Sequence, residues 1–178
     1  MRRFTLAIVA FSSTALALPA YGQQSIHLGV GGGVAVPVGK LDSALKTGPG
    51  GLIYLAIGPQ DAPLGLRIDY QYAGFNGKTV AGMATPDTHI SSVTGNLVVP
   101  FRAGGVKPYL ITGAGWYPMR LPGDTKRTND WGYNAGAGIG FPLPFTTIGA
   151  FLEVRYHDVN RTGASSYHFI PLTFGLTF

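Results

Sequence analysis

The sequence predicts an all-β chain, an eight-stranded antiparallel up-and-down transmembrane β-barrel preceded by a cleavable signal peptide. Three observations predict it. From Ile26 onward apolar residues recur at every second position rather than with a helical period. Only 12% of the 178 residues are charged, about half the roughly 25% usual in a soluble domain, while 46% are hydrophobic. The alternation also runs to the last residue, where Ile170, Leu172, Phe174, Leu176 and Phe178 form an apolar ladder in place of a frayed polar tail.

The length suits one domain with its own core. Residues 1–22 begin with Arg2 and Arg3, continue through an apolar stretch from Phe4 to Leu18, and end in the small-residue pattern Ala20-Tyr21-Gly22. This is the pattern of a secretory signal cut near Gly22, leaving a barrel domain over 23–178. The apolar stretch is short of the roughly 20 residues a membrane-spanning helix needs. Without Arg2 and Arg3 the chain keeps 11 Lys+Arg against 8 Asp+Glu, so its net charge falls from +5 to +3. No basic run interleaved with aromatics points to nucleic acid. There is no cysteine, which removes disulfides and thiolate metal sites.

Eight stretches rich in β-branched, aromatic and glycine residues read as strands: 26–36, 51–57, 64–74, 88–101, 108–118, 131–141, 147–158 and 168–178. Most approach the 9 to 11 residues of a tilted strand crossing a bilayer. Their connections alternate in length. GPQDAP, RAGGVK and PLPFT are short, whereas PVGKLDSALKTGPG, FNGKTVAGMATPDT, MRLPGDTKRTN and VNRTGASSY are long. Outer-membrane barrels pair short periplasmic turns with long extracellular loops, which would put both termini in the periplasm.

The period of two also sorts the faces. Leu66, Ile68, Tyr70 and Tyr72 stand opposite Arg67, Asp69 and Gln71; Ile148, Ala150, Leu152, Val154 and Tyr156 stand opposite Phe151, Glu153, Arg155 and His157. In the sixth strand Tyr133, Ala135, Ala137, Ile139 and Phe141 stand opposite Asn134 and three glycines. A soluble lipocalin-like barrel alternates too, with its apolar face inside. Low charge, loop alternation and aromatics near strand ends favour the membrane. Phe101, Tyr109, Phe141 and Phe178 are expected in a periplasmic girdle, and Tyr72, Tyr117, Trp131, Tyr133 and Tyr156 in an outer one.

The chain resembles the outer-membrane protein β-barrel domain family, which includes small OmpA-like barrels. Besides the terminal ladder, the likeness lies in GVAVPVGKL, PLGLRIDYQY, KPYLITGAGWY and WGYNAGAGIGF, and it covers residues 23–178. The resemblance implies residence in a Gram-negative-type outer membrane. It also implies that Ile170, Leu172, Phe174, Leu176 and Phe178 are the signal read by the barrel-assembly machinery.

An eight-stranded lumen is only wide enough for side chains to fill it. Arg67, Asp69 and Gln71 would face Glu153, Arg155 and His157, with Asn96 and Asn134 completing a polar network. Ion pairs Arg67–Glu153 and Asp69–Arg155 are expected, because buried charges are costly unless paired. The expected role is structural or surface-interactive. The alternatives are a narrow porin-like channel and, less readily, a soluble periplasmic binding barrel.

Catalysis is not expected. His157 points inward and His89 and His168 outward, so Ser91, Ser92, Ser165 and Ser166 find no histidine constellation on one face. His27 lies at the opposite end. No two histidines share a metal-ligand spacing on one face, and no cofactor is expected. The glycine clusters lack the helix and Lys-Ser/Thr of a phosphate loop. In the long loops Lys40, Lys46, Lys78, Arg120, Lys126, Arg127 and Arg161 outnumber Asp42, Asp87, Asp124 and Asp130. Outer-membrane lipid and lipopolysaccharide are the expected partners of this monomer.

Overall fold

A computed structural model describes residues 24–59, 63–80, 82–101, 103–120, 128–161 and 166–178. The expected signal peptide and the loop residues Asp124, Lys126, Arg127 and Ser165 lie outside these. Eight long strands form the molecule: β1 Gln24–Val38, β2 Gly48–Pro59, β3 Gly65–Gly77, β4 Thr88–Pro100, β5 Lys107–Arg120, β6 Thr128–Pro142, β7 Gly149–Asn160 and β8 Tyr167–Thr177. Each pairs antiparallel with its neighbours in sequence. β8 then returns to β1, from Gly29↔Thr177 to Val38↔His168, and closes the barrel. Closure satisfies the backbone groups that a free edge would leave unpaired in lipid.

The final residue belongs to this seam. The Phe178 N–H donates to the Leu28 carbonyl at 2.7 Å, and the Leu28 N–H donates to the Phe178 carbonyl at 3.0 Å.

Except for β4, which starts at Thr88 as expected, the strands are longer than expected at the end carrying the long connections. β2 starts at Gly48 instead of Gly51, β3 runs on to Gly77, and β6 begins at Thr128. The stretch GPGG carries turn residues, yet Gly48 pairs with Ala35, and a Cβ there would collide with the Gly74 carbonyl oxygen. Part of the connecting sequence is therefore sheet. What remains between strands at this loop end is residues 39–47, 78–87, 121–127 and 161–166. At the opposite turn end residues 60–64, 101–106 and 143–148 connect strands. Two-residue segments elaborate the loops: Leu45–Lys46 pairs with the end of β3, and Thr79–Val80 pairs with Met83–Ala84.

The outer wall is apolar. Val30, Val34, Ile53, Leu55, Leu66, Ile68, Leu97, Leu110, Val154, Leu172 and Phe174 are exposed, while Arg67, Asp69, Glu153, Arg155 and His157 are buried. This inversion suits a hydrocarbon solvent outside, and it is the reverse of a soluble ligand-binding barrel.

Candidate functional site

Reading inward-facing residues upward along β7 from the turn end gives Phe151, Glu153, Arg155, His157 and Val159, all buried. The interior thus has three storeys: aromatic, ionic and apolar.

The ionic storey is built from two strands that face each other. On β3, Arg67 Nε lies 2.7 Å from Asp69 Oδ1; on β7, Arg155 Nε lies 2.8 Å from Glu153 Oε1. Across the barrel Arg67 Nη1 approaches Glu153 Oε2 at 2.8 Å, and Arg155 Nη1 approaches Asp69 Oδ2 at 2.7 Å. The latter contact is an ion pair without hydrogen-bond alignment. Two guanidinium groups and two carboxylates make a neutral ring, in which each charge touches two of opposite sign. Removing one member would strand a charge in a nearly water-free interior.

Neighbours fix this ring. Arg67 Cζ sits 4.1 Å from the Tyr54 ring centroid, a cation–π contact, and Tyr54 OH lies 2.6 Å from Thr177 Oγ1. Tyr54 in turn meets Phe151 edge to face at 5.4 Å. Tyr109 OH donates to Glu153 Oε2 at 2.7 Å. On the far wall Asn134 Nδ2 donates to Asn96 Oδ1 at 2.9 Å, and Asn96 Nδ2 donates to Thr94 Oγ1 at 3.0 Å. Gln71 is buried beside this network and its Oε1 accepts no hydrogen bond from protein.

Glycines make the room. A Cβ on Gly29 would collide with the Tyr54 ring, and one on Gly138 with the Tyr109 ring. Strand positions that would otherwise crowd the lumen are thus left to two large aromatics from elsewhere.

Above the ring lies an apolar cluster that includes Phe75, Ile90, Tyr117, Met119, Tyr167 and Phe169, joined by Leu45 from the first loop. His157 is wedged here. Its Nδ1 is 2.8 Å from Tyr117 OH, and its ring stacks on Phe169 at 4.7 Å.

This arrangement corrects two expectations. Tyr109 and Tyr117 do not face lipid in the girdles: Tyr117 is fully buried, and Tyr109 turns its hydroxyl onto Glu153. On β5 they share parity with Gly113 and Gly115, and in this barrel glycine of that parity belongs to the lumen. The same criterion, applied to the fifth strand as to the sixth, would have found them. It would also have turned Trp116 outward, where it is 40% exposed. The second correction concerns the lumen, where only a polar network was expected: above that network the filling is the apolar cluster. The remaining girdle residues, Phe101, Phe178, Tyr72, Trp131, Tyr133 and Tyr156, are exposed, and Phe141 is partly so.

The other histidines sit apart. His27 is exposed, His89 stacks outside on Tyr72 with Nδ1 2.8 Å from its hydroxyl, and His168 stacks on Tyr156 with Nδ1 3.4 Å from Asp158. Among the described residues no three His, Asp or Glu side chains are grouped to hold a metal ion. At the loop end Lys78 pairs with Asp42 at 3.0 Å and Arg161 approaches Asp130 at 3.7 Å, so part of the basic rim is neutralised within it.

Comparisons with known proteins agree with this geometry. The family described as "Outer membrane protein beta-barrel domain" matches residues 4–178. Among solved structures, Neisserial surface protein A superposes with a TM-score of 0.63 at 16% identity, covering 87% of this chain and 97% of its own. A major outer membrane protein from Thermus thermophilus gives 0.52 at 14% identity, covering 87% and 98%. At such identities the likeness is one of fold. No curated protein sequence matches.

Proposed function

This chain belongs to the outer membrane protein beta-barrel domain family, and with that placement in the bacterial outer membrane we propose that it serves there as a sealed structural barrel. Its contribution is to membrane integrity, with surface interactions carried by the loops and no reaction catalysed. The observation that carries this reading is the Arg67–Asp69–Glu153–Arg155 ring, which bars the lumen with four buried and mutually paired charges. The apolar cluster above it adds a dry second closure. A conducting path would need both to part.

Current across planar bilayers tests the reading. Purified protein should leave conductance at baseline, and so should Arg67→Ala, because the apolar cluster remains. Discrete openings in the wild type would sink the sealed barrel and favour the narrow passive channel.

Three further proposals attach to this reading. Ile170, Leu172, Phe174 and Leu176, the outward row of β8, and Phe178 just after it would be the face offered to the assembly machinery. The loop end would meet lipopolysaccharide, whose anionic sugars suit the surplus of lysine and arginine there; co-purifying lipopolysaccharide that survives charge reversal at Lys126 and Arg127 would count against this. The protein would act as a monomer.

A further inference from the structure

The turn from β6 to β7 contains a residue at odds with its place. Over residues 143–148 the chain reads LPFTTI. Leu143 N–H donates to the Ile148 carbonyl at 3.1 Å, Thr146 N–H to the Leu143 carbonyl at 3.4 Å, and the Thr146 hydroxyl lies 3.2 Å from both carbonyls. Within this well-bonded turn Phe145 holds φ at 62°. Proline followed by a left-handed residue is the pattern of a type II turn, whose third position favours glycine or asparagine because a Cβ crowds the backbone there. Elsewhere the chain follows that preference: the other described residues with positive φ are Gly39, Gly82 and Gly104.

Phe145 is also as exposed as an isolated residue, at 107%. A ring that strains its backbone and touches nothing in its own chain contributes nothing to the fold. Its surroundings indicate what it meets. Phe101 and Phe178 are exposed at the same end, and Phe141 faces outward near the end of β6, so Phe145 continues the apolar belt. It lies three residues past Pro142, where β6 ends. At about 3.3 Å per residue it stands at most ~10 Å beyond that strand, within reach of the headgroup layer.

We propose that Phe145 is an interfacial anchor, a strained turn holding an aromatic ring in the inner-leaflet phospholipid of the outer membrane and setting the depth of the turn end. The strain would persist because the position is used for contact with lipid and not for folding.

The chain has no cysteine, so Phe145→Cys can carry a single polarity-sensitive fluorophore on the full barrel folded into vesicles of phosphatidylethanolamine and phosphatidylglycerol. The same label on Gly105→Cys, exposed in the neighbouring turn, reports water on that side. Expected are protection of the Phe145 label from iodide relative to Gly105, and stronger quenching by a lipid nitroxide near the headgroup than by one at the chain end. A second variant, Phe145→Asn, keeps a residue that accepts the backbone while removing the ring. Its urea midpoint in vesicles should fall. A label as open to iodide as that at Gly105, or a midpoint that rises as strain is relieved, would overturn the proposal.

Discussion

The Tyr109 hydroxyl donates to Glu153 Oε2 at 2.7 Å by reaching across the intervening strand β6, and it does so over a glycine, Gly138, whose smallness admits the ring. The contact ties β5 to the charged ring on β3 and β7. Tyr109→Phe should therefore cost about 1.5–3 kcal/mol, the range for one hydrogen bond to a charged group. Urea unfolding in vesicles, followed by gel mobility of unheated samples, would measure it; an unchanged midpoint would mean that Glu153 needs only its arginines.

Gly138→Ala tests the same fit from the other side. A methyl group there meets the Tyr109 ring, and overpacking of this kind costs about 1–3 kcal/mol. The penalty should largely vanish in a Tyr109→Ala background. Equal penalties in both backgrounds would place the strain in the backbone.

For the ion-pair ring, single truncations should be worse than paired ones. Arg155→Met leaves Asp69 and Glu153 with one guanidinium between them and should destabilise by about 3–5 kcal/mol. Adding Asp69→Leu removes the stranded charge and should restore part of the loss. A double-mutant cycle on urea midpoints would show a coupling of more than about 1 kcal/mol; additive losses would mean that the charges are solvated independently.

Closure of the lumen should be redundant. Phe169→Ala opens a cavity beneath Phe75 and His157 and should cost about 3–5 kcal/mol without raising conductance, since the charged ring stays shut. Only Phe169→Ala combined with Arg67→Ala should admit current. Openings in Phe169→Ala alone would show that the ring does not seal.

Deletion of Phe178 removes two hydrogen bonds to Leu28 and puts the terminal carboxylate on Thr177. Outer-membrane yield in cells should fall sharply. Refolding of the purified chain into detergent should change little. A comparable loss in both settings would assign Phe178 to barrel stability and not to assembly.

Much of this was legible in the sequence, for a reason specific to membranes. Lipid outside and a tight lumen inside impose strict alternation, so Ile68 and Asp69, or Val154 and Arg155, declare their faces as neighbours. The partners of the charged ring follow from where β3 and β7 stand in an eight-stranded circle. Several strand ends on the loop side were not legible, because beyond the lipid the pattern need not be apolar. Gly48 and Asn76 look like loop residues although both are paired in sheet. The facing of Tyr109 and Tyr117 was ambiguous because an aromatic suits a lipid interface as well as a lumen with a glycine opposite. The apolar cluster was hidden for a related reason: Phe75, Ile90 and Phe169 alternate as apolar residues would on either face, and part of the cluster comes from a loop.

The charged ring also bears on how the wall is laid down. Arg67 and Asp69 are two apart on β3, and Glu153 and Arg155 are two apart on β7, each pair already in contact within its own strand. The two charges of each pair are therefore compensated within their own strand before the opposite strand arrives. The cross-barrel pairs can form last, so none of these four residues has to enter hydrocarbon as an uncompensated ion. The ring is divided into two zwitterionic halves, and the order in which they are inserted is left free.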